Sequence, residues 1–264
     1  MSSLQALIFD VDGTIADTER DAHRVAFNRA FEAAGLAWEW SEEVYGSLLK
    51  VAGGKERIQL YRNTACPEFQ PSEEITTWAA ALHQAKTNHY RKLIAEGNIP
   101  LRPGIKRLIQ EARQVGIRLA IATTSAPDNV LALLETTLGV DSPAWFEVIA
   151  AGDIVPAKKP APDVYHYVLQ AMDLTPHDCL VLEDSDAGLT AARQAGLPAV
   201  ITMNGYTQSH DFTGALLVVD HLGEPDRPFQ VQSGHVGNAT YFDLALARQL
   251  LANCERSGDR EIGR

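Results

Sequence analysis

The residues best suited to chemistry stand in the stretch LIFDVDGTIADTE, residues 7 to 19. Asp10 closes a short apolar run and Asp12 follows two positions later. Two ionised carboxylates this close repel, so something must offset the repulsion. Gly13 permits a tight turn that brings both side chains to one site. A divalent cation relieves the repulsion, and Mg²⁺ suits hard oxygen ligands while needing few of them from the protein. A second acidic pair, Glu183 and Asp184 in CLVLEDSDAG, closes another apolar run. A metal alone does not require this spacing of Asp10 and Asp12, whereas a nucleophile beside a general acid does. Asp10 is placed to attack phosphorus, and Asp12 to protonate the leaving oxygen and later deprotonate water. Thr123 and Thr124, in IATTS, offer hydroxyl donors to phosphate oxygens. Lys158 and Lys159, ahead of Pro160, offer a cation, with Lys159 favoured.

The elements that must position these groups are buried strands. ALIF (6–9), IRLAIAT (117–123), FEVIAA (146–151), CLVLE (179–183), AVIT (199–202) and LLVVD (216–220) are short apolar runs between polar turns. Amphipathic stretches separate several of them, a pattern that predicts an α/β fold with a parallel sheet covered by helices on both faces. In such a sheet, ligands bind beyond the carboxyl ends of the strands, where the acids, threonines and lysines fall. Residues 18–95 break the alternation with four helical patterns and read as an insertion. Residues 1–17 and 96–264 are expected to form the core. From Gly223 the chain is harder to place: GEPDRPFQVQSGHVGN reads as irregular, TYFDLALARQLLANC as helical and ERSGDREIGR as a frayed tail.

The four motifs DVDGT, ATTS, KKPAPD and LEDSDAG, in this order, resemble the haloacid dehalogenase superfamily over roughly residues 4 to 206. The resemblance implies a Rossmann-like core with a mobile helical cap. It implies Asp10 as nucleophile and metal ligand, and Asp12 as acid/base ligating through its backbone carbonyl. Thr123 then binds phosphate, Lys159 is the motif lysine, and Asp184, with Glu183 beside it, completes the Mg²⁺ site. FDVDGTIADTE, GGKERI, HQAKT, ATTSAPDNV, AAGDIVPAKKPAPDVY and LEDSDAGLTAA resemble more closely the CbbY-like group, phosphatases of xylulose 1,5-bisphosphate. That likeness implies substrate contacts from Glu19, Gly53, Gly54, Lys55, Arg57, His83, Lys86, Ser125 and Asn129, beside Thr124, and xylulose 5-phosphate as product. In the group, removing this bisphosphate protects a carbon-fixing carboxylase of the Calvin cycle. A β-phosphoglucomutase-like phosphomutase, a phosphoglycolate-type phosphatase and a non-catalytic binding protein are the alternatives.

Bulk properties frame these readings. The chain has 264 residues and a net charge of −11, which argues against nucleic acid as partner but not against a small phosphorylated sugar in a locally positive pocket. Three scattered cysteines, Cys66, Cys179 and Cys254, predict a reducing compartment. No signal peptide and no membrane-spanning run is read from the sequence, so a cytoplasmic protein is expected, and a monomer is taken as the starting expectation. Cap residues alone carry less weight: His83 and Lys86 on a charged helix ordinarily face solvent, and Lys55 and Arg57 ordinarily pair with surface acids. Trp38, Trp40 and Trp78 read as packing residues.

Overall fold

A computed structural model of the chain describes residues 4–262. Seven strands form one sheet in the order β3-β2-β1-β4-β5-β6-β7. They are β1 (Ala6–Phe9), β2 (Arg118–Ala122), β3 (Val148–Ala150), β4 (Cys179–Glu183), β5 (Ala199–Thr202), β6 (Leu217–Val219) and β7 (Val231–Gly234). The first six run parallel, and β7 joins the edge antiparallel to β6. Neighbours on both sides bury β1 completely. Leu7 and Phe9 pack into one apolar cluster, Ala6 and Ile8 into the cluster on the opposite face. That two-sided burial is why the run is uniformly apolar rather than alternating. The sheet's helices are α5 (Ile105–Gln114), α6 (Pro127–Leu138), α7 (Asp163–Met172), α8 (Asp186–Gln194) and α9 (Leu244–Ile262).

Between β1 and α5 stands the helical insertion. A π-helical turn, Glu19–His23, runs directly into α1 (Arg24–Ala33), and α2 (Glu42–Leu48), α3 (Gly54–Ala65) and α4 (Ile75–Ala95) follow. Ser41 caps α2 by accepting from the Val44 N–H at 3.1 Å, and the Glu74 carboxylate caps α4. The insertion has its own apolar cluster, built around Phe27, Phe31, Trp40, Tyr45 and Ile58. Trp38, Trp40 and Trp78 pack in it edge-on against other rings, so all three are packing residues. The two chain crossings between insertion and sheet lie side by side, joined by a bridge between Ala16 and Leu101.

The segment after Gly223 differs from its sequence reading. Part of the stretch expected to be irregular forms β7, whose VQSG sequence lacks an apolar pattern because all four residues are exposed at the sheet edge. The stretch expected to fray continues α9 to Ile262; Gly263 and Arg264 lie outside the described residues. Phe229, Phe242 and Leu250 anchor this segment in the core. Cys66, Cys179 and Cys254 are free thiols. No helix among the described residues is long and apolar enough to cross a membrane.

Candidate active site

Strand register decides what meets at the carboxyl edge. Phe9 pairs with Ile121 on one side and Leu182 on the other, so Asp10 emerges beside the ends of β2 and β4. The Asp10 N–H donates to the Leu182 carbonyl at 2.9 Å, fixing the first residue past the strand. Gly13 then turns the chain with φ +91°, and a Cβ there would lie 2.3 Å from the Asp184 Oδ2. Both the left-handed backbone and the absence of a side chain are required.

Lys159 lies at the centre of the buried groups. Its Nζ donates to Asp10 Oδ1 at 2.8 Å, to the Ala122 carbonyl at 2.8 Å and to Glu183 Oε1 at 2.5 Å. Tyr165 also donates to Glu183 Oε1, at 2.6 Å, while Glu183 Oε2 accepts from the Asp184 N–H at 3.2 Å. Lys158 points elsewhere, to Glu56 of α3 at 3.0 Å and to Asp153 at 3.1 Å. Asp10, Glu183 and Asp184 each offer an oxygen within 4.8 Å of the others, all buried. One ammonium does not balance three carboxylates. Burial pushes Asp10 up to about 8 against the pull of Lys159, with Glu183 and Asp12 adding to the rise. Asp184 is also pushed well up, by burial and then by Asp10 and Glu183. A hard, all-oxygen cluster short of positive charge fits a divalent cation such as Mg²⁺.

Asp12 is in the opposite state. Burial alone would raise its carboxyl, but His23, Thr18 and Lys86 together outweigh that and hold it well below the usual carboxylate range. Its Oδ1 accepts from the Thr18 hydroxyl at 2.5 Å and lies 2.8 Å from His23 Nε2. His23 Nδ1 meets the Lys86 ammonium, which can only donate. Nδ1 is thereby the acceptor, and Nε2–H donates to Asp12. Thr123 Oγ1 accepts from the Ser125 N–H at 3.1 Å, leaving its own O–H to donate.

Beyond Asp12 a cavity of about 420 Å³ opens between the sheet edge and the insertion. Glu19, Gly53, Gly54, Lys55, Arg57, His83, Lys86, Thr124, Ser125 and Asn129 all line it, with His23 and Lys158. A second cavity, about 910 Å³, holds Asp10, Thr123, Lys159 and Asp184, and shares Asp12, Glu19, Arg57 and Thr124 with the first. Lys86 is 2% exposed, against the solvent face that its charged helix suggested. Burial lowers its ammonium to about 8, opposed by Glu19 and Asp12, with the Phe27 and Tyr90 rings 4.9 and 5.1 Å away. His83 falls to about 3, first through burial and then through the cations around it, so its ring is neutral. Arg57 donates to the Tyr45 hydroxyl at 3.1 Å and pairs with Glu19 at 3.4 Å; Tyr45 in turn donates to Glu19. Lys55 pairs with Asp153 at 2.7 Å, across the cleft rather than along its own helix. Ser125 Oγ and Asn129 Oδ1 are buried in the cavity wall without a hydrogen-bond partner, as groups awaiting a polar ligand would be.

His23, Tyr45 and Asn204 escaped the sequence reading. Asn204 donates to Asp184 Oδ2 at 2.6 Å. Only His23 left a signal: it lies four residues after Glu19, on the same helical face.

The family model described as haloacid dehalogenase-like hydrolase matches residues 4–196. The chain belongs to the haloacid dehalogenase-like hydrolases. It is 48% identical over 247 residues to the plasmid-encoded protein CbbY of Cupriavidus necator, covering 93% of this chain and 96% of that one. It is 50% identical to CbbY of Rhodobacter capsulatus over 212 residues, covering 80% and 91%. The crystal structure of CbbY from Rhodobacter sphaeroides with phosphate superimposes with a TM-score of 0.76 at 44% identity, covering 83% of this chain and 94% of that chain. A D10N variant of that protein was crystallised with xylulose 1,5-bisphosphate, and matches equally well. The chain is thus a CbbY-like member of the family and a phosphatase, a phosphoric monoester hydrolase. At 93% coverage the Cupriavidus match runs past Gly223, so the C-terminal segment, which has no counterpart placed from sequence, is partly shared with that relative.

Proposed function

We propose that the protein hydrolyses xylulose 1,5-bisphosphate to xylulose 5-phosphate and phosphate, through an aspartyl phosphate on Asp10. The observation that carries the reading is the pairing of a reaction centre with a second chamber in which four cations stand among four carboxylates. Asp10, Lys159 and Thr123 line one cavity, with Lys159 on Asp10, and in this reading the transferring phosphoryl group sits among them. Lys55, Arg57, Lys86 and Lys158 line the adjoining cavity, where a remote phosphate would take the place of Asp153 as partner of Lys55 and Lys158, and Ser125 and Asn129 offer polar partners to sugar hydroxyls. The bisphosphate held by the Rhodobacter sphaeroides relative carries two phosphates, one for each chamber in this reading. Residues 18–95 serve as the cap that excludes water over the bound sugar.

Asp10 and Asp184, with the backbone carbonyl of Asp12, hold Mg²⁺ in this scheme. Glu183 closes the acidic set but has both oxygens engaged, so its main task is to orient Lys159. Mg²⁺ held there would supply charge neutralisation of the phosphate, letting the Asp10 carboxylate approach it. Asp10 attacks phosphorus with the oxygen not held by Lys159. The ammonium and the Thr123 hydroxyl stabilise the charge on the transferring group. Asp12, held as a carboxylate by His23 and Thr18, is ready as the base that activates water in the second step. Its acid role in the first step needs a proton that arrives with the substrate.

The test is a phosphate-release screen over sugar mono- and bisphosphates, with and without Mg²⁺. Release should depend on Mg²⁺ and favour the bisphosphate. An isomerised sugar phosphate without free phosphate would favour a mutase, in keeping with the likeness to β-phosphoglucomutase from Clostridium difficile (TM-score 0.65, 25% identity).

A further inference from the structure

Arg102 takes no part in the chemistry above, yet it is 7% exposed and among the most heavily bonded side chains of the core. Nη1 donates to the Gly13 carbonyl and, at 3.1 Å, to that of Thr202. Nη2 donates to the carbonyls of Met203 and Asp220, each at 2.5 Å. Nε lies 3.6 Å from the Asp17 carboxylate, and the backbone N–H donates to the Ile15 carbonyl at 2.9 Å. Four carbonyl oxygens from three strand ends, the turn after β1 and the ends of β5 and β6, thus point at one guanidinium. Such oxygens repel one another. A planar, permanently charged fork with five donors can satisfy them together, and a lysine ammonium cannot reproduce it.

Two of the four carbonyls lead to Asp184. Gly13 packs so closely against that carboxylate that a Cβ would overlap it. The Met203 carbonyl precedes Asn204, whose amide donates to Asp184 Oδ2. Both walls of Asp184 are therefore pinned from behind by the same side chain. We infer that Arg102 is a positioning residue for the metal-binding acids, holding the Asp10–Gly13 turn and the Asn204 amide at the separation that sets Asp184 against Asp10.

This rests on the Mg²⁺ reading above, and the test separates the two. Mg²⁺ is titrated calorimetrically into the full-length wild type and the R102A, R102K and N204A variants, alongside kcat, KM and thermal midpoints. R102A should weaken Mg²⁺ binding and lower kcat by about 10–100-fold, as loss of outer partners of a metal site does. KM for the sugar phosphate should move by less than about threefold, because the cap contacts are untouched. R102K and N204A should show part of the loss, and R102A/N204A little more than R102A alone, since both act through one path. Guanidinium ion added to R102A should restore part of the Mg²⁺ affinity. If R102A does not fold, R102K and N204A carry the test. Folded Arg102 variants that bind Mg²⁺ like the wild type, with only the midpoint lowered, would overturn the inference. A wild type that binds no Mg²⁺ would overturn both the inference and the reading beneath it.

Discussion

Lys86 is the residue whose burial most constrains the account. An ammonium enclosed by Phe27, Tyr90 and His23 is costly to hold charged, and its fall to about 8 expresses that cost. The sign is unambiguous. A lowered lysine is protonated below its folded value and loses the proton above it, so the free enzyme loses a cation from the substrate chamber as pH rises through about 8. If Lys86 binds a substrate oxyanion, kcat/KM for the bisphosphate falls above that pH. Its own stability term runs the other way: the penalty of the buried charge is fully present below about 8 and is relieved as pH climbs towards the ordinary lysine value. A pH profile of kcat/KM checks the first statement, and a K86R variant should move the break upward. A profile unchanged by K86R would remove Lys86 from the substrate site. The neutral His83 should add no inflection between pH 5 and 8, unlike an ordinary histidine.

Elements do the positioning, and they were legible to different degrees. The runs ALIF, CLVLE and AVIT became β1, β4 and β5 with unchanged bounds, because burial on both faces leaves an uninterrupted apolar signature. The edge strand β7 left no such signature, since its place depends on pairing with β6 and not on its own pattern. For the same reason the contacts of Arg102 and Asn204 could not be read: they belong to strand order, which brings the ends of β1, β5 and β6 together from distant parts of the chain. The turn opening α3 was legible as GGKERI. Gly53 there has φ +95°, and a Cβ would lie 2.2 Å from Glu56 Oε2 and 2.6 Å from Lys158 Nζ. Gly53→Ala is therefore expected to cost about 1–3 kcal/mol through the positive-φ backbone alone. By displacing Lys55 and Arg57 it should also raise KM for the bisphosphate about tenfold, with a smaller change for a monophosphate. Equal changes in KM for the two substrates would separate this turn from the remote phosphate.

At the scale of the whole molecule, a sheet that supplies reactivity meets a helical insertion that supplies charge. The insertion keeps its own aromatic cluster, joins the sheet through two adjacent crossings, and closes over it with Lys55–Asp153 and Lys158–Glu56 ion pairs. These pairs are partly exposed and contribute about 0.2–1 kcal/mol each, so they tie the insertion to the sheet only weakly. Inside the cleft Lys55, Arg57, Lys86 and Lys158 stand among Asp12, Glu19, Asp128 and Asp153, so the chamber holds placed cations without the net negative charge of the whole chain, −11. The central claim is that the phosphoryl group passes through Asp10. Rapid acid quench of the full-length protein with xylulose 1,5-bisphosphate and Mg²⁺, followed by peptide mass analysis, tests it directly. The account predicts one added phosphoryl group on the peptide carrying Asp10, absent in a folded D10N variant that releases no phosphate. Phosphate release by D10N at the wild-type rate, or an adduct on another residue, would contradict it.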